Sequence, residues 1–74
     1  MDNRKLVRYS IIKDSLKDML INAKYNDEQR VILIQYELRG TLRYMYITGD
    51  ITKETRERIE HLSFLILRKY NIKK

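Results

Sequence analysis

Cysteine, proline and tryptophan are absent from this 74-residue sequence, which holds only two glycines and one histidine. Without cysteine there is no disulfide, no thiol nucleophile and no Cys/His zinc set. Without proline, every segment is free to be helical throughout. Two isolated glycines cannot build a phosphate-cradling loop. Long apolar runs are missing as well. The most apolar stretches, 31–34 and 62–67, fall far short of the ~20 residues that a membrane helix needs, so no membrane partner is expected. The first residues, Met1-Asp2-Asn3-Arg4-Lys5, are charged and do not read as a secretory leader. Together with the lack of cysteine this points to a cytoplasmic protein.

Catalytic inventory is equally sparse. His61 has Glu57 one turn before it but no second histidine to complete a metal site. Asp14/Asp18 and Glu54/Glu57 are ordinary carboxylates for a helix surface. The expectation is a protein that is no enzyme and that carries neither cofactor nor metal.

What is present is an apolar fraction of 43%, too high for a disordered tail. The length allows one small domain, 1–74, ending in a basic tail over 68–74. Such a chain buries only roughly 60% of its unfolded surface, so it must pack efficiently or oligomerise.

Two punctuation points, Tyr25-Asn26-Asp27 and Thr48-Gly49-Asp50, divide the chain into segments 4–24, 27–48 and 52–70. In the first, Tyr9, Ile12, Leu16, Met19, Leu20 and Ala23 recur at spacings of three and four, one stripe of a helix. The second opens on Asn26-Asp27-Glu28-Gln29, a capping-box pattern with Asn26 as the cap. Val31, Ile34, Leu38, Leu42 and Met45 follow at helical spacing. The third begins after Gly49, with Asp50 or Thr52 as its cap and Ile59, Leu62, Ile66 and Tyr70 as its stripe. An all-α, three-helix bundle results. An α-β-β-α alternative competes, because 31–38 and 41–48 are rich in β-branched and aromatic residues and Arg39-Gly40 can form a tight turn. On the helical reading, Gly40 marks a close helix crossing.

Segments two and three carry more apolar surface than one bundle face uses. Ile32, Leu33, Tyr36, Phe64, Leu65 and Leu67 need cover. Burying four such side chains in a partner yields roughly 6–12 kcal/mol before the cost of association. A symmetric homodimer through helices two and three is the economical solution.

Net charge is +6, divided as +3 over 1–26, zero over 27–49 and +3 over 50–74. Basic residues with tyrosines nearby suit nucleic acid, DNA or RNA: cations hold phosphates and rings stack on unpaired bases. The residues this assigns are Arg4, Lys5, Arg8, Arg39, Arg43, Arg68, Lys69, Lys73 and Lys74. In an up-down-up bundle the two terminal clusters lie ~30 Å apart, so a dimer is needed to bring them together. A helix-turn-helix around Gly49 is disfavoured, since Glu54, Glu57 and Glu60 crowd Lys53 and Arg56 on the helix that would read DNA. A basic amphipathic membrane helix over the first segment is disfavoured by Asp14 and Asp18. The pattern Leu42…Tyr46…Gly49-Asp50-Ile51-Thr52…Glu57…Ile59…Leu62 resembles the short helical hairpins called SHOCT domains; the resemblance implies a hairpin of helices over 42–62.

The expected function is that of a small non-enzymatic regulator binding nucleic acid. The alternative is an interaction module that docks its apolar helical face onto a partner protein with an acidic and apolar surface.

Overall fold

The computed structural model describes the backbone of residues 3–72 and, of the side chains, those of Val7 and of residues 9–72. Three helices follow one another: α1 (Asn3–Lys24), α2 (Glu28–Ile47) and α3 (Lys53–Lys69). Among the described residues there is no strand, so the α-β-β-α alternative falls. Arg39 and Gly40 run straight through α2. The pairing of the cap with the 31/34/38/42/45 spacing outweighs the β-branched content, because those positions share one helical face and all five are buried.

The helices end alike. Asn26, Gly49 and Asn71 each adopt positive φ (62°, 81° and 56°) just past a helix end. The backbone N–H after each one reaches back to the carbonyl five residues before it. These bonds are Asp27 to Asn22 at 2.9 Å, Asp50 to Met45 at 2.8 Å and Ile72 to Leu67 at 2.8 Å. This is the Schellman arrangement, and it satisfies carbonyls that the helix leaves over. Asn26 is therefore the closing residue of α1, and the cap of α2 is Asp27, whose side chain accepts a hydrogen bond from the Arg30 backbone N–H at 3.2 Å. The left-handed backbone at Asn26 rules out the extended conformation a cap needs. Thr52 caps α3, accepting from the Thr55 backbone N–H at 3.1 Å.

The core is Ile12, Met19 and Ala23 of α1, Val31, Ile34, Leu38, Leu42 and Met45 of α2, and Ile51, Ile59, Leu67 and Ile72. Leu16, Ile32, Ile66 and Tyr70 pack against it half-buried. Tyr9 and Leu20 lie outside the buried stripe of α1. The stripe of α3 also differs from its expected phase. The buried positions are Ile59, Ser63 and Leu67, and Leu62 is exposed. Ser63 sits in the core because it faces Gln35, also fully buried, whose Nε2 donates to Ser63 Oγ at 3.4 Å. Ser63 in turn donates to the Glu60 carbonyl at 2.6 Å. Leu67, expected at an interface, is 5% exposed and belongs to this chain's own core, since Ser63 and not Leu62 sets the phase of the helix.

Among the described residues, Gly40 marks no close helix crossing. A Cβ built there would meet nothing within 4 Å. Of the expected basic tail, Arg68 and Lys69 lie in the last turn of α3 and Ile72 is buried in the core, while Lys73 and Lys74 lie outside the described residues. The closest packing is between α1 and α2, with α3 laid against both.

Candidate nucleic-acid interface

The surface between α2 and α3 carries a groove of about 340 Å³ lined by Tyr36, Arg39, Gly40, Arg43, Arg56 and Glu60. It continues into a second depression lined by Tyr46, Lys53, Arg56, Glu57 and Glu60. Helical spacing explains the convergence. Arg39 and Arg43 are one turn apart on α2, and Lys53, Arg56 and Glu60 recur at three and four on α3. The bare Gly40 leaves the groove wall open.

Three contacts hold the cations. The Arg56 guanidinium lies 5.4 Å from the centre of the Tyr46 ring, and its Nε is 3.4 Å from Glu60 Oε1. The Arg39 guanidinium lies 6.0 Å from the centre of the Phe64 ring. Such ring contacts steer a guanidinium without neutralising it, so its N–H fork stays available to an anion. Glu57 and Glu60 offset two of the four cations along the groove. The balance stays positive.

Of the cations singled out in the sequence whose side chains are described, Arg39 and Arg43 meet in this groove and Arg68 and Lys69 do not. Arg68 and Lys69 are exposed near the end of α3, where Lys69 Nζ sits 5.6 Å from the Tyr70 ring centre. The side chains of Arg4, Lys5 and Arg8 and the whole of Lys73 and Lys74 lie outside the described residues. Sequence reasoning missed Lys53 and Arg56 as partners of Arg39 and Arg43. The glutamates around them masked the signal, although the Tyr46 ring lies within reach of Arg56 across the α2–α3 turn.

The apolar residues expected at an interface also separate. Leu33, Tyr36, Phe64 and Leu65 are exposed, and Ile32 is half-buried against the core. Tyr36 borders the basic groove, whereas Leu65 belongs to a different, almost wholly apolar groove between α1 and α3. That groove, about 280 Å³, is lined by Leu16, Leu20, Leu62, Leu65, Ile66 and Lys69. His61 is exposed, and among the described residues no group of three or more His, Asp or Glu is placed to hold a metal ion. No described helix is long and apolar enough to cross a membrane. No family model, SHOCT domains included, matches this chain, and neither does any curated protein or solved structure.

Proposed function

We propose that the protein is a small non-enzymatic regulator, acting in the cytoplasm, that binds nucleic acid along the α2–α3 groove and self-associates. The observation that carries this reading is the convergence of Arg39, Arg43, Lys53 and Arg56 on one groove bordered by Tyr36 and Tyr46. Guanidinium forks and the ammonium hold phosphate oxygens, and the tyrosine rings offer faces to unpaired bases. Glu60 orients Arg56, and together with Glu57 it disfavours close approach of a rigid duplex, so a single strand, DNA or RNA, is the preferred ligand.

The test is fluorescence anisotropy of labelled single-stranded and duplex oligonucleotides against a salt series. Affinity is expected to fall steeply with salt, and replacing Arg39 and Arg43 by alanine is expected to reduce the salt slope by about one for each phosphate no longer held. Absence of binding at low salt, or binding indifferent to Arg39→Ala, Arg43→Ala and Arg56→Ala together, overturns the reading.

A second reading is supported by the apolar α1–α3 groove. Its leucines suit an apolar helix of a partner protein, with Lys69 at the rim for an acidic residue. Here Leu65→Asp is expected to abolish salt-insensitive capture of a partner while the helical circular dichroism stays unchanged, because Leu65 is already exposed.

A further inference from the structure

The outward face of α2 carries Leu33, Tyr36, Gly40, Tyr44 and Ile47, at successive spacings of three, four, four and three. These residues form one stripe on the side opposite the core. They are strongly exposed: Leu33 47%, Tyr36 57%, Tyr44 56% and Ile47 70%. The spacing is symmetric about Gly40. A glycine inside a helix costs stability against alanine, a cost that a close approach of another backbone can offset. Among the described residues, nothing comes within 4 Å of a Cβ built at Gly40.

We propose that a second copy of this chain docks on this stripe, its α2 antiparallel to the first, with the two-fold axis passing beside Gly40. The inference rests on the self-association in the reading above and names its face. A two-fold interface requires a surface complementary to itself, and the symmetric spacing supplies one. Two antiparallel copies crossing at Gly40 bring Ile47 of one level with Leu33 of the other, and Tyr44 level with Tyr36. The missing Cβ on both sides lets the backbones approach.

The flanks are chemically matched. A two-fold axis at right angles to α2 keeps each flank on its own side of the pair. On the flank nearer α3, the Tyr36 ring of one copy meets the Arg43 guanidinium of the other, a cation–π arrangement. On the flank nearer α1, the Tyr44 ring of one copy meets Leu33 and the stem of Glu37 of the other. Covering the four large side chains removes roughly 400 Å² per copy, and the stems of Arg43, Arg39 and Glu37 carry the pair past the ~1,000 Å² that a specific interface needs. Tyr36, Gly40 and Arg43 also line the α2–α3 groove, so the pair covers that end of it and leaves the end formed by Tyr46, Lys53 and Arg56 to the oligonucleotide.

The absence of cysteine makes cross-linking unambiguous. Leu65→Cys, on the α1–α3 groove, is expected to yield no disulfide-linked dimer under mild oxidation. Leu33→Cys mixed with Ile47→Cys is expected to cross-link through a short thiol-specific reagent, and neither alone. Gly40→Ala is expected to raise the thermal midpoint of the dilute monomer and to weaken the dimer at least tenfold in sedimentation. A single-copy mass throughout the micromolar range overturns self-association and this inference together. A dimer that is unweakened by Gly40→Ala, or that cross-links through Leu65→Cys but not through the mixture of Leu33→Cys and Ile47→Cys, overturns only the face proposed here.

Discussion

Gln35 and Ser63 are fully buried polar residues joined across α2 and α3, and the amide oxygen Oε1 of Gln35 has no hydrogen-bond partner among the described residues. Replacing both partners of a buried hydrogen bond by apolar groups is nearly neutral, whereas leaving one of them without a partner costs about 1–3 kcal/mol. Ser63→Ala alone strands the Gln35 Nε2 and is expected to destabilise by about that amount. Gln35→Leu alone is expected to cost less, because the Ser63 hydroxyl keeps its bond to the Glu60 carbonyl. The double variant, which removes every orphan, is expected to return stability to within ~1 kcal/mol of the parent or above it. Urea midpoints at constant m-value check the cycle. The pair also explains why the phase of α3 is not legible in the sequence. Leu62 and Ser63 are adjacent, and hydropathy alone places the leucine inside. Only the presence of a buried amide on α2 makes the serine the inward residue.

At the scale of the elements, the α1–α2 connection is reduced to a few residues that each do more than one thing. Asp27 supplies the backbone N–H that closes α1 and the carboxylate that caps α2. Asn26 before it holds the left-handed turn. Asp27→Ala is expected to cost about 1 kcal/mol through removal of the cap. Asn26→Gly is expected to be neutral or slightly stabilising, since glycine adopts positive φ freely, whereas Asn26→Val is expected to cost more than Asp27→Ala. Thermal midpoints of the three variants rank them. The sequence announces this boundary through its Asn-Asp pair and the polar run after it. Assigning the cap to Asn26 misses by one residue because an asparagine suits both the cap and the left-handed position. Helix extents are legible for a simpler reason: no proline interrupts them, and apolar residues at three- and four-residue spacing persist through each segment.

For the molecule as a whole, two surfaces of different chemistry flank α3, a basic aromatic groove toward α2 and an apolar groove toward α1. The sequence discloses Arg39 and Arg43 by their spacing, but it cannot show that Arg56 and Lys53 complete the groove. That depends on how α3 rotates about its axis, which Gln35 and Ser63 influence. Because the grooves are separate, Leu65→Asp is expected to leave oligonucleotide affinity within about twofold of the parent, as additivity holds for distant sites. Parallel anisotropy titrations of parent and variant check this.

The extensive packing of α1 on α2 contrasts with the lighter seating of α3. Proteins open in units, and the unit with the least shared burial opens first. Backbone amides of 59–67 are therefore expected to exchange with deuterated water sooner than those of 31–45, a hierarchy that peptide-resolved mass spectrometry reads directly. The first two helices would then form a fixed platform, and the third a hinged cover whose brief departures expose the oily seam beneath it to solvent.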